Sequence, residues 1–273
     1  MRIEWGEAVQ SFQQKVWHAT VDKTAVFVKE IISDYSWWTC EESDIFRREK
    51  LSYQRLNAVG IGPRLLCCDD AARRLIMEAV PQSADADEEP IRAEDDAVCD
   101  SLLDVLKTLR GLRDTGLERL TARRLAQIYT AKGEAAAVQP QLVAEISHQL
   151  EAWHQTYGHE LCFTHGDLHP GNVRAGKGRI VGLIDFEETI ESLPVFDGAN
   201  MAWALSEEPA VCARFASGYE QAFGEPLIPP QEWRRFYLLR GWIVSCYLRN
   251  CCAPDVRDRA GNFIFANEPE PQT

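Results

Sequence analysis

Hydrophobic spacing divides the chain in two. Up to Val80 the apolar positions fall mostly in short β-rich runs, and from residue 81 they recur mainly at helical spacing. KVWHAT (15–20) and TAVFVK (24–29) are rich in β-branched and aromatic residues and flank the turn-like Val21-Asp22-Lys23, which predicts two strands. Arg64–Asp69 and Arg74–Val80 predict two more, joined by Asp69-Asp70-Ala71-Ala72. Between these pairs, Ile45, Glu49, Tyr53 and Leu56 share one face of a helix. That helix starts at Ser43 or Asp44, both effective N-caps, and is stopped by Gly60, Gly62 and Pro63.

Farther on, Val98, Leu102, Val105, Leu109 and Leu112 form one apolar stripe, and Leu142, Ile146, Leu150, Trp153 and Tyr157 form another that ends near Gly158. An apolar strand, Ile180–Ile184, interrupts the helical part. After Asp197 come a short helix through Met201-Ala202-Trp203 and a second carrying Val211, Phe215 and Tyr219. Phe236–Leu248 is apolar nearly all round, which predicts a buried helix. Strands first and helices after predict an α+β molecule of two lobes. Residues 1–80 make a small antiparallel sheet with one helix, and 81–273 make a larger, mostly helical lobe.

Composition narrows the function classes. With 273 residues, 45% hydrophobic and 26% charged, the chain is an ordinary globular protein able to bury a substantial core. No apolar run reaches membrane-spanning length, and the N-terminus shows no secretory h-region. The nine cysteines include the doublets Cys67-Cys68 and Cys251-Cys252 but no C-x-x-C, and read as reduced thiols of a cytoplasmic protein. A net charge of −13 argues against nucleic acid and permits a cationic substrate, although it equally serves solubility. Oligomeric state is not legible.

Chemistry concentrates between Phe163 and Asp197. FTHGDLHPGN is a loop bearing His165, Asp167 and Asn172; IVGLIDFEE is a strand that delivers Asp185. Asp167 and Asn172 have the separation of the H-R-D-x-x-x-x-N catalytic loop of kinases, and Asp185-Phe186-Glu187 stands where D-F-G would follow. Phosphoryl transfer from ATP needs a carboxylate to orient the acceptor hydroxyl, and oxygen ligands to hold Mg²⁺ between the phosphates. Asp167 suits the first role; Asn172 and Asp185 suit the second. His165 and His169 are four apart, but Gly166 and Pro170 break any shared helical face, so a zinc pair is not expected.

HGDLHPGN followed by LIDFE and FDGAN resembles the aminoglycoside phosphotransferase and choline kinase family, small-molecule kinases with a protein-kinase-like fold. The resemblance implies a two-lobed kinase architecture, ATP and Mg²⁺ as cofactors, and a small-molecule hydroxyl as acceptor. It implies that Asp185 is a magnesium ligand, that Asp197 braces the catalytic loop from within, and that His165 is structural. His169 falls where protein kinases place a cation near the γ-phosphate.

The N-terminal lobe supplies the remaining expectations. Phe27-Val28-Lys29 parallels V-A-I-K, which makes Lys29 the phosphate-gripping lysine and Glu49 its ion-pair partner. Met77, Glu78 and Val80 form the candidate adenine edge before the hinge, in a segment that reads equally as a core strand. The phosphate-covering turn, Gln10–Gln14, has no glycine; Ser11, Gln13 and Gln14 offer side-chain donors instead. The acidic stretch 85–100 then lies near the cleft mouth, as a solvated loop or as an attractant for an amine.

The favoured acceptor is an aminoglycoside or other antibiotic, making the protein a resistance-type kinase. Choline, ethanolamine or thiamine is the alternative, with Trp203 and Trp242 as cage candidates among eight tryptophans that can equally fill the core. A nucleotide-binding pseudokinase is the alternative of another class.

Overall fold

The computed structural model describes residues 3–11, 13–39, 41–79, 96–158, 160–176 and 178–252. Strands β1 (Ile3–Gln10), β2 (Gln14–Val21) and β3 (Thr24–Ile31) form an antiparallel meander. Asp22 and Lys23 turn between β2 and β3 at positive φ, 46° and 71°, the pair of left-handed residues that a tight hairpin demands. Two short paired segments, β4 (Tyr35–Ser36) and β5 (Glu41–Glu42), occupy the connection that reads as irregular in sequence. Helix α1 (Ile45–Ala58) follows, capped by the Asp44 carboxylate on the Arg47 amide at 2.9 Å. Ile45, Glu49, Tyr53 and Leu56 are all buried, as their spacing predicts.

Strands β6 (Leu65–Asp69) and β7 (Arg74–Glu78) complete a five-stranded sheet of order β1-β2-β3-β7-β6. This places β3 at the centre. Alternation along β3 sends Val26 and Val28 into a small cluster with Ala19, and sends Lys29 and Ile31 to the opposite face, toward α1.

The second lobe begins with α2 (Asp96–Gly111), α3 (Ala122–Ala135) and α4 (Pro140–Tyr157). Most of the acidic stretch lies outside the described residues; its end, from Asp96 to Asp100, opens α2. Short strands β8 (Cys162–Thr164), β9 (Val173–Gly176), β10 (Arg179–Leu183) and β11 (Ile190–Ser192) then frame the loop of interest, pairing β8 with β11 and β9 with β10. Helices α5 (Val195–Ala204), α6 (Pro209–Phe223) and α7 (Pro230–Cys251) close the lobe. Asp197 therefore sits in the first turn of α5 and not ahead of the helix. No residue from Phe236 to Leu248 is exposed, in agreement with the all-round apolar pattern.

Trp153, Phe196, Trp233 and Phe236 form an aromatic cluster joining α4, α5 and α7, with Trp153 and Phe236 centroids 4.9 Å apart. It fixes Phe196, and with it the neighbouring Asp197, against the catalytic loop. The molecule is a two-lobed α+β kinase-like fold. Its described cysteines are free thiols, and among the described residues no helix is long and apolar enough to cross a membrane.

Candidate active site

Lys29 is the electrostatic centre of the cleft. Its ammonium pairs with Glu49 from α1 and lies 2.7 Å from Asp185 Oδ1, so β3, α1 and the segment after β10 meet at one cation. Lys29 is only 3% exposed and Glu49 is fully buried. Burial would lower the ammonium pKa, but Asp185 and then Glu49 outweigh it and hold Lys29 well above its ordinary value. Burial also lifts the Glu49 carboxyl to about 7 against the pull of Lys29. Burial alone would raise Asp185 too; the charge and hydrogen bond of Lys29 win there and hold it below the ordinary range.

Asp185 has φ of 68°, a left-handed conformation that a non-glycine residue holds only when its surroundings enforce it. Here the enforcement comes from Lys29 and from Gln14, whose Nε2 donates to Asp185 Oδ1 at 3.0 Å. Phe186 anchors the segment from below, against Tyr53 at 4.8 Å and His165 at 5.0 Å between ring centroids.

The catalytic-type loop is braced on both sides. Asp197 accepts the amides of His165 at 2.7 Å and Gly166 at 3.0 Å, while burial holds its carboxyl above the ordinary value. Gly166 has φ of 82°, and a Cβ there would collide with the Glu188 carbonyl, so the position demands glycine. His165 donates from Nε2 to the Ile184 carbonyl at 2.9 Å. From the other side, Asn200 Nδ2 holds the Leu168 carbonyl at 3.0 Å, and its own oxygen takes the Trp233 indole at 2.9 Å.

Asp167 and Asn172 lie together: Asn172 Nδ2 donates to the Asp167 carbonyl at 2.9 Å and reaches its Oδ2 at 3.4 Å. The Asn172 carbonyl in turn accepts the Ile184 amide at 3.0 Å, next to Asp185 in sequence. Asn172 Nδ2 thus faces Asp167, and Oδ1 is the atom with which Asn172 could meet a cation. His169 Nε2 lies 3.7 Å from Asp167 Oδ2, and its Nδ1 accepts the Gly171 amide.

Magnesium favours hard oxygen ligands, and the site provides them. Glu49, Asp185 and Glu187 present ligand atoms all within 4.8 Å of one another. Burial, then Asp185, drive the Glu187 carboxyl well above the ordinary range, and its Oε2 is buried without a protein hydrogen-bond partner. A dication would relieve this crowding of negative charge, so the donor set fits the metal. Glu187 is the residue that sequence reasoning passed over, although its place two after Asp185 in D-F-E was the available signal.

Beside Asp167 opens a cavity of about 430 Å³, walled by His169, Asn200, Trp203, Glu207 and Tyr237. Trp203 and Tyr237 are neighbours at 5.0 Å between centroids. Both Trp203 and Trp242, the other cage candidate, pack against the hydrophobic core, but Trp242 does not line this cavity. Met77 is buried within β7, and Glu78 and Ala79 donate their amides to Arg64 (2.8 Å) and Ala25 (3.2 Å). Those two amides are thus engaged by neighbouring backbone. Val80 lies outside the described residues.

Comparison with known proteins agrees with this geometry. None of the curated proteins compared matches the chain. Among solved structures, macrolide 2'-phosphotransferase MphH from Brachybacterium faecium superposes with a TM-score of 0.64 at 14% identity, covering 98% of this chain and 93% of that one. Choline kinase LicA from Streptococcus pneumoniae gives 0.59 at 15% identity, covering 96% and 91%. A thermostable mutant of aminoglycoside phosphotransferase APH(4)-Ia, in ternary complex with ADP and hygromycin B, gives 0.59 at 13% identity, covering 98% and 95%. At such identities these likenesses show the fold. The model of the phosphotransferase enzyme family matches residues 41–239, more than half the chain, and the protein therefore belongs to that family of small-molecule phosphotransferases.

Proposed function

We propose that this protein transfers the γ-phosphoryl group of ATP, with Mg²⁺, to a hydroxyl of a small molecule seated in the cavity beside Asp167. One observation carries the reading: Asp167 opens onto that cavity and shares a loop with Asn172, whose backbone abuts the Lys29–Asp185 pair. Donor and acceptor chemistry thus meet across a single turn of chain.

In this reading the Asp167 carboxylate orients the acceptor hydroxyl and takes its proton as the oxygen attacks phosphorus. Lys29, kept in place by Glu49, turns from Asp185 to the α- and β-phosphate oxygens. Asn172, Asp185 and Glu187 would hold Mg²⁺, which when bound neutralises charge on the phosphates. His169, on the rim beside Asp167, adds an N–H donor toward the transferring group.

The acceptor we favour is an aminoglycoside or another hydroxylated antibiotic. Trp203 and Tyr237 offer flat faces to a sugar ring, and Glu207 offers a carboxylate to an amine. The same two rings also favour a second reading, a choline-type quaternary ammonium held by cation–π attraction. The test is ³¹P NMR of Mg·ATP reactions with aminoglycosides, macrolides, choline, ethanolamine and thiamine. A new phosphate-ester resonance, absent with Asp167→Ala, identifies the acceptor. Its absence across every compound, together with failure to bind Mg·ATP, overturns the kinase assignment.

A further inference from the structure

The turn between β1 and β2 has no glycine, yet it is not loosely held. Gln13 is 3% exposed and uses its whole amide. Its Nε2 donates to Glu188 Oε1 at 3.1 Å and to the Tyr35 carbonyl at 2.8 Å, and its Oε1 accepts the Trp37 indole at 3.2 Å. Glu188 is 5% exposed and collects donors from the whole neighbourhood. Besides Gln13, it takes the Trp37 amide at 3.1 Å and lies 3.5 Å from the Ser36 hydroxyl, with Arg48 Nη1 at 3.9 Å. Its own carbonyl is packed against Gly166 of the catalytic-type loop.

Two adjacent glutamines therefore hold two residues three apart. Gln14 reaches Asp185 and Gln13 reaches Glu188, across more than 170 positions of sequence. A mobile glycine loop covers phosphates with bare backbone; a tethered loop can do so only if something fixes its height. Resting on the kinase reading above, we infer that Glu188 is a positioning residue, which through Gln13 sets the phosphate-covering turn over the β- and γ-phosphates. On nucleotide binding Gln14 yields Asp185 to the metal, while the Gln13–Glu188 bond persists. Glu188 touches no reacting atom; it acts through the turn.

The inference is tested by calorimetric titration of the full chain with a non-hydrolysable Mg·ATP analogue and, separately, with adenosine. Gln13→Glu sets two carboxylates against each other, and the loss of a charged hydrogen bond corresponds to about ten- to a hundredfold weaker binding of the analogue. Adenosine, lacking the phosphates, binds the variant and the unaltered protein alike. Exchanging the partners, in Gln13→Glu with Glu188→Gln, removes the repulsion between the two carboxylates and recovers part of the lost affinity, since the Tyr35 carbonyl and the Trp37 amide are no longer both matched. A loss confined to the phosphate-bearing analogue, with adenosine unaffected, is what a merely structural role would not give.

Three results would overturn the inference. Equal analogue binding by Gln13→Glu and the unaltered protein removes the tether and leaves the kinase reading intact. Tighter binding by Gln13→Glu makes the contact a lock on a closed turn, the opposite role. No binding of either ligand by the unaltered protein removes both the inference and the kinase reading. Should Gln13→Glu fold poorly, Gln13→Met, which keeps the volume and drops the amide, is titrated in its place with the same outcomes.

Discussion

The two halves of the cleft are built by different means. On the Lys29 side, Lys29 and Glu49 are nearly fully buried, and Asp185, 28% exposed in its side chain, and the half-buried Glu187 crowd against them. On the acceptor side, Asp167 is 38% exposed in its side chain and His169 is 42%, in a cavity whose walls come from three separate stretches of chain. Burial makes the first half rigid and intolerant, because a buried charge that loses its partner is costly. Openness makes the second half adaptable, because its rings and carboxylates can be exchanged without leaving buried charges unpaired.

Substitutions can break this comparison at either half. The largest effect is expected at Asp167. Asp167→Ala should lower kcat by about 100- to 10,000-fold, with Mg·ATP affinity nearly unchanged in a direct titration. A variant that turned over at more than a tenth of the normal rate would remove Asp167 from the chemistry.

Next comes the buried pair. Glu49→Ala strips Lys29 of one partner in a dry site, and breaking such a pair costs about 3–5 kcal/mol, read from urea unfolding. Unchanged stability would mean that Asp185 alone suffices for Lys29.

Smaller, and specific in sign, is the pH dependence of Glu49, measured without magnesium. Its folded carboxyl titrates at about 7 against 4.5 for the free group. Between those values the folded chain holds a proton that the unfolded chain releases, so this group's contribution to stability falls as pH rises through the window. Glu49→Gln should flatten that slope; a slope identical to the unaltered protein's would contradict the assigned shift.

The smallest effect belongs to the open half. Trp203→Ala should raise KM for the acceptor by about fivefold, a loss of about 1 kcal/mol from one ring face. It should leave Mg·ATP binding and stability nearly untouched. An equal loss toward the nucleotide would show the two halves to be coupled.

The same contrast decides what could be read before any coordinates. Asp167, Asn172 and Asp185 lie within nineteen consecutive positions of one loop and one strand, so their spacing carries their chemistry. Lys29 and Glu49 were legible because a strand end and a helix face have fixed periods, and the ion pair forms where those periods aim it. The strands, the helix caps and the buried final helix followed from local patterns for the same reason. The cavity beside Asp167 did not: residues 167–169, 200–207 and 237 are brought together by the aromatic cluster around Phe196, and no spacing links them. Glu188 with Gln13 was equally hidden, since a contact between a hairpin turn and a residue after β10 has no local trace.

The central claim is that one loop carries a proton acceptor, Asp167, while the segment after β10 carries a metal ligand, Asp185. The measurement that tests it most directly is a parallel titration of Mg·ATP into Asp167→Ala and Asp185→Ala, with turnover recorded on the same samples. The account predicts that Asp167→Ala binds Mg·ATP normally and turns over at least about a hundredfold more slowly, whereas Asp185→Ala loses the magnesium dependence of binding. Normal magnesium-dependent binding by Asp185→Ala, or undiminished turnover by Asp167→Ala, would contradict it.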